Sequence, residues 1–288
     1  MRALLVGSSG QVGQACLQSV PAHVELRACT HVELDITDSA KIAAVVDEFR
    51  PDVLINTAAY TAVDKAESDK PAAQACNVDG PGRLAAAMAR HAGARMIQIS
   101  TDFVFDGRGS SPYKPDSPTG PHSVYGATKL AGEQATLSAL GDRAVILRTA
   151  WVYSASGNNF VRTMLRLMAK GEVRVIADQV GTPTSAASLA ETIWAIAAAK
   201  TGGVYHWTDA GVASWYDFAV AIAEEATRIG LLTKPVVVTP IATSDYPTPA
   251  RRPSYSVLDK SSTAKAFGLH QVHWRTRLRT VIEELRSA

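Results

Sequence analysis

Tyr125 and Lys129, four residues apart in Tyr125-Gly126-Ala127-Thr128-Lys129, are the pair in this sequence best suited to move a proton. On a helix beginning near Ser123 that spacing stacks them on one face. A cation beside a phenol favours its ionised form, so Tyr125 can give its proton to a developing alkoxide. The same spacing on a solvated surface helix would mean nothing. Ser100-Thr101-Asp102 adds weight, because it closes an apolar run from Arg95 and so falls at the C-terminal end of a strand, where open α/β sheets bind ligands. There the Thr101 hydroxyl can hydrogen-bond and polarise a substrate carbonyl. Its alternative role is to cap the loop that follows.

A third feature is Gly7-Ser8-Ser9-Gly10-Gln11-Val12-Gly13, directly after the first apolar run. The first glycine permits a tight turn, the second lets a pyrophosphate approach backbone N–H groups at a helix start, and the third lets helix and strand pack closely. The spacing is GxxGxxG rather than GxGxxG, and a strand-to-helix turn without a ligand is the competing reading. Leu34-Asp35-Ile36 follows the second strand region, where Asp35 can accept from an adenine amino group while Ile36 covers the ring. Equally, Asp35 or Asp38 can cap the next helix. In Val24-Glu25-Leu26-Arg27-Ala28-Cys29, Arg27 stands near the place where related sites read the adenosine ribose. With Arg27 beside a 2′-phosphate, NADPH would be used at least as well as NADH. An Arg27 pointing to solvent would leave little preference, and Glu25 at the ribose would favour NADH.

The elements that must carry these residues alternate short apolar runs with amphipathic stretches. Strands are expected at Ala3 to Val6, Val24 to Cys29, Val53 to Asn56, Arg95 to Ser100 and Ala144 to Arg148, with helices including Lys41 to Phe49 and Ala72 to His91. The pattern predicts an α/β fold, a Rossmann-like doubly wound parallel sheet with a smaller C-terminal α/β substrate lobe. Residues 1–150 would form the dinucleotide-binding domain. Residues 151–288 would form mainly the substrate lobe, with some segments returning to the first domain and a cleft between lobe and strand ends. Gly107 to Pro121 and Ser244 to Pro253 read as ordered or semi-ordered surface loops.

A chain of 288 residues, 47% hydrophobic, can bury a substantial core. Its 29 Lys and Arg against 27 Asp and Glu leave a net charge of +2, which gives no general attraction to nucleic acid or membrane. The three cysteines, Cys16, Cys29 and Cys76, form no CxxC pair and fit a reducing compartment. The opening Met1-Arg2-Ala3-Leu4-Leu5-Val6 is too short an apolar run for a signal peptide or a span, so a cytoplasmic location is expected. His270 and His273 lack the companions of a zinc site, and no metal ligand is assigned.

Taken together, GSSGQVG at Gly7 to Gly13, NTAAYTAVDKAE at Asn56 to Glu67, STDFVFDG at Ser100 to Gly107, YGATKLAGE at Tyr125 to Glu133, RTAWVY at Arg148 to Tyr153, NNF at Asn158 to Phe160, DQVGTPT at Asp178 to Thr184 and YPTPARRP at Tyr246 to Pro253 span nearly the whole chain. In these the sequence resembles the extended short-chain dehydrogenase/reductases, and more narrowly the dTDP-4-dehydrorhamnose reductases. The resemblance implies reduction of a nucleotide-linked keto sugar, with Thr101, Tyr125 and Lys129 catalytic. It implies cofactor contacts from Gly7, Gly10, Gln11, Val12, Gly13, Asp35, Ile36, Ala58, Ala59, Tyr60, Thr61 and Lys129, the last through the nicotinamide ribose. Thr101, Asp102, Tyr125 and Trp151 would face the sugar and Arg252 the diphosphate. An epimerase or another nucleotide-sugar reductase shares the fold and the Tyr/Lys pair. A non-catalytic subunit like the partner of methionine adenosyltransferase would not need the proton donor. Two positions depart from the family pattern: Phe103 stands where members often have Tyr, and Ala15 where some have a glutamate that bridges a dimer through magnesium. A magnesium role is thereby left open, and the partner state expected is monomer or homodimer.

Overall fold

The computed structural model describes residues 1–287. Its longer strands are β1 (Arg2–Val6), β2 (Glu25–Cys29), β3 (Val53–Asn56), β4 (Arg95–Thr101), β5 (Ala144–Thr149), β6 (Glu172–Ile176), β7 (Gly203–His206) and β8 (Val237–Ile241). Six of them form one sheet in the order β7-β5-β4-β3-β1-β2, and every pairing in it is parallel. A parallel sheet is covered on both faces, which is why β3 and β5 are buried along their whole length and open on apolar runs. The five strands expected from the sequence lie within one or two residues of the observed ends.

Helices α1 (Gln11–Gln18), α2 (Ser39–Phe49), α3 (Gly80–Ala89), α4 (Val124–Leu140) and α6 (Ala186–Ala198), with α5 (Phe160–Met168) between the last two, supply the layers. On one sheet face Ile42 and Val46 of α2, Leu84 and Met88 of α3 and Leu140 of α4 close over Leu4, Leu54 and Met96. On the other, Ala15 and Cys16 of α1 and Leu189, Ile193 and Ile196 of α6 cover Leu5, Ile55, Ile97 and Leu147. The Trp194 indole donates to the Cys16 carbonyl at 3.2 Å, pinning α6 to α1. A third core joins α5 with α7 (Trp215–Arg228) and α8 (Trp274–Ser287) through Met164, Phe218, Ile222 and Leu278. The parallel pair β6/β8 belongs to that layer through Val173 and Val175.

The helix expected over Ala72 to His91 is interrupted. An α-helical turn at Lys70–Gln74 runs into a π-helical turn at Ala75–Asp79 before α3 begins. Pro81 has no N–H for the Asn77 carbonyl four residues earlier, so the ladder must open there. Asn77, 1% exposed, uses its side chain to hold three other groups. Its Oδ1 accepts from the Tyr60 N–H at 2.9 Å, and its Nδ2 donates to the Tyr60 carbonyl at 3.1 Å and to Thr128 Oγ1 at 3.2 Å. Gly132 on α4 makes the approach feasible, since a Cβ there would stand 2.0 Å from the Asn77 carbonyl oxygen. The loop after β3 and the helix bearing Tyr125 are thus fixed by one side chain.

Candidate active site

The strand order reverses between β1 and β3, and it is at such a switch point that open sheets bind ligands. Gly7 leaves β1 with φ +82°, and a Cβ on it would meet the Ala58 nitrogen at 2.6 Å. Gly13 sits behind, where a Cβ would be 2.4 Å from the Gly7 carbonyl oxygen. Gly10 begins α1 with no side-chain cap, leaving first-turn N–H groups without an intrahelical partner. This turn opens onto a cleft of about 800 Å³ whose wall includes Gly7, Gly10, Gln11, Val12, Asp35, Ile36, Ala58, Ala59 and Thr61. An uncapped helix start, a glycine with room in front of it and a small-residue rim fit a dinucleotide pyrophosphate. Asp38, not Asp35, caps α2, accepting from the Lys41 N–H at 3.0 Å. Asp35 closes a local turn onto Thr37 and remains on the cleft wall.

Further along the same cleft lie Thr101, Asp102, Tyr125 and Lys129. Ser123 caps α4, its hydroxyl accepting from the Gly126 N–H at 3.1 Å, which starts the helix one residue before Tyr125. Gly126 brings that first turn against β4's exit, where a Cβ would clash with the Phe103 carbonyl oxygen at 2.3 Å. Burial pushes the Tyr125 phenol up to about 12, the Asp102 carboxylate adding to the rise and the Thr101 hydroxyl opposing it. Such a phenol is protonated at neutral pH, the state a proton donor needs. Lys129 is buried and donates to the Ile99 carbonyl at 2.6 Å; burial pulls its ammonium down to about 8 while Glu133 supports its charge.

Thr101 takes the capping role and also stands on the cleft wall. Its hydroxyl accepts from the Phe103 N–H at 3.2 Å, capping the turn that follows, and donates to Asp102 Oδ1 at 2.9 Å while lining the cleft. Asp102 is 2% exposed, and burial pushes its carboxyl up to about 6 against the hydroxyls of Ser256 and Thr101. Its Oδ2 is buried without a hydrogen-bond partner, a polar atom suited to a ligand. Behind this floor, Arg148 grips Glu133 with Nε to Oε1 at 2.9 Å and Nη2 to Oε2 at 2.7 Å, and Ser100 Oγ donates to the same carboxylate. Arg148 also lies over the Phe105 ring at 5.1 Å.

The opposite wall is aromatic. Trp151 has φ +49°, a left-handed conformation that bulky residues adopt at a cost, and its ring stacks on Trp215 with centroids 3.5 Å apart. Gly181 backs it, for a Cβ there would be 2.7 Å from the indole. Trp215, the first residue of α7, went unnoticed in the sequence although Ser214-Trp215-Tyr216-Asp217 carries a capping-box pattern, and both of its bonds form. Gln179, Asn158 and Ser256 also line the cleft; the first two fall in the DQVGTPT and NNF segments, where neither had been given a role. Gln11 bridges the two sides, its Oε1 accepting from Ser154 Oγ at 3.0 Å and Asn159 Nδ2 at 2.9 Å.

Arg252 reaches the cleft and donates to Asp64 Oδ2 at 2.8 Å, so an anionic ligand would share it with that carboxylate. Phe103 packs edge-on against Tyr125 at 5.5 Å. Three expected cofactor residues do not line the cleft. Gly13 supports the turn from behind, and Tyr60 gives its hydroxyl to Asp69 at 3.2 Å. Arg27 is the third and requires a correction. It pairs with Glu48 of α2 at 2.7 Å beside Phe49, two residues short of the end of β2, and it is not a wall residue. Ala15 is buried against the sheet. Among the described residues no group of three or more His, Cys, Asp or Glu could hold a metal ion, and no helix is long and apolar enough to cross a membrane.

What this geometry defines is a class, the NAD(P)H-dependent short-chain-type oxidoreductases. A family model described as the RmlD substrate binding domain matches residues 1–287, and the chain belongs to that family. It is 42% identical over 299 residues to the dTDP-4-dehydrorhamnose reductase of Burkholderia thailandensis, with 100% of each chain covered. Among solved structures it resembles a dTDP-4-dehydrorhamnose reductase of Clostridium acetobutylicum, with TM-score 0.92, 39% identity and 99% and 100% of the two chains covered. A Bacillus anthracis enzyme of the same name, solved in complex with NADP, gives TM-score 0.92 at 33% identity over 98% and 99% of the two chains.

Proposed function

We propose that this protein reduces the C4 keto group of dTDP-4-dehydro-L-rhamnose to dTDP-L-rhamnose with NADPH as the favoured donor, supplying a sugar for cell-surface polysaccharide. The observation that carries the reading is one cleft with an uncapped helix start at one end and Thr101, Tyr125 and Lys129 at the other. When bound, the nicotinamide supplies the hydride. Gly10, Gln11 and Val12 hold the pyrophosphate, and Asp35, Ile36 and Ala58 flank the adenine. Thr101 orients the carbonyl, Tyr125 delivers the proton to the C4 oxygen, and Lys129 fixes the ribose beside them. Arg252 takes the sugar-linked diphosphate in place of part of its contact with Asp64. The reading includes a cytoplasmic location, a monomer or homodimer, and neither nucleic acid nor membrane as partner.

Following NADPH absorbance with a panel of dTDP- and GDP-linked keto sugars tests this. One NADPH consumed per dTDP-4-dehydrorhamnose is expected. Isomerisation without cofactor consumption would mark an epimerase, and binding without turnover a regulatory subunit; either overturns the proposal.

The Trp151/Trp215 stack leads to a second expectation. A flat indole covers the apolar face of a 6-deoxysugar, so Trp151→Ala should weaken sugar-nucleotide binding by about tenfold and cofactor binding far less. Calorimetric titration with each ligand separates the two, and equal losses would make Trp151 a purely structural residue.

A further inference from the structure

We propose that His31 is the residue that recognises the 2′-phosphate of the cofactor and so sets the preference between NADPH and NADH. The proposal rests on the cofactor reading above and deepens it. Of the basic side chains on the cleft wall, Lys129 and Arg252 lie toward the reacting end, leaving His31 alone at the adenosine end, next to Leu34, Asp35 and Ile36. Its side chain is 78% exposed, free to meet a ligand arriving in the open cleft.

The other charged groups near the end of β2 each already hold a protein partner. Arg27 is held by Glu48 on α2. Glu33 folds back, its Oε2 accepting from the Thr30 N–H at 2.7 Å and from Thr30 Oγ1 at 2.8 Å. Lys41 donates to the Val32 carbonyl at 2.8 Å, fixing the 30–34 loop that presents His31. Asp35 Oδ1 takes the Thr37 N–H and hydroxyl, and its Oδ2 stands 4.0 Å from His31 Nε2. β2 itself ends in Cys29, whose carbonyl accepts from the N–H groups of Gly7 and Ser8. A dinucleotide site that selects the unphosphorylated ribose places a carboxylate at the end of this strand to take the 2′- and 3′-hydroxyls, and such a carboxylate repels a 2′-phosphate. Here the strand ends in an uncharged thiol, and the next ring nitrogens available to an anion are those of His31.

The test is direct binding, with wild type, His31→Ala, His31→Arg and Arg27→Ala titrated against NADPH, NADH, 2′,5′-ADP and 5′-AMP by calorimetry. His31→Ala should weaken NADPH and 2′,5′-ADP by about three- to tenfold, the scale of one exposed charge-assisted contact, and leave NADH and 5′-AMP unchanged. His31→Arg should restore or tighten the phosphorylated ligands, and Arg27→Ala should change none. Equal effects of His31→Ala on all four ligands, or none on any, would overturn the assignment. Wild type that binds NADH but neither NADPH nor 2′,5′-ADP would instead refute NADPH as the favoured donor.

Discussion

Replacing Tyr125 with Phe should lower turnover by at least ~10²-fold while NADPH binding stays within about twofold of wild type. The substitution removes only the hydroxyl, and the ring keeps its edge-on contact with Phe103. Folding and the cleft wall are therefore preserved, and the loss reads on proton delivery. Single-turnover kinetics under conditions where chemistry limits the rate is the appropriate measurement. Full activity in the variant would remove Tyr125 as the acid and point to Asp102, the other group on the floor whose proton affinity burial raises.

The second large effect is on stability. Glu133→Gln leaves Arg148, with a side chain only 6% exposed, facing a neutral amide inside the protein. Breaking a buried ion pair from one side costs about 3–5 kcal/mol, because the surviving charge keeps its desolvation penalty without its partner. Urea denaturation should show that loss, whereas Glu191→Gln, which releases Arg277 from a carboxylate 52% exposed, should cost about 0–1 kcal/mol. Comparable losses at the two sites would mean that water or another group compensates Arg148.

The parallel strands were legible because each is a short apolar run closed by a turn, and a strand buried on both faces has no other way to look. The helix break at Ala75–Asp79 was not, because it depends on a proline that withholds an N–H and on a glycine 55 positions beyond Asn77 in the chain, Gly132, that accepts the displaced carbonyl. Gly7, Gly10, Thr101, Tyr125 and Lys129 fall around one cleft because local spacing fixes each on a turn, a strand end or one helix face. Arg27 stands two residues short of the end of β2 and does not line the cleft, and the partner that claims it, Glu48, lies on the next helix. Trp215 was hidden because its importance is a stacking contact with Trp151, 64 positions earlier in the chain by the numbering.

The return of β7 to the sheet has a practical meaning for anyone who would divide the chain. β7 pairs with β5 along Val145 to Arg148, and β5 is buried over all six of its residues. A fragment ending at residue 150 would turn β5 into an open edge, presenting unpaired backbone groups on an apolar, β-branched strand of the kind that recruits another copy. It would also lose α6 and with it the cover over Ile97 and Leu147. Residues 1–150 alone are thus not a unit of solubility, and the sheet is sealed only when the ribosome has delivered the residues near 206.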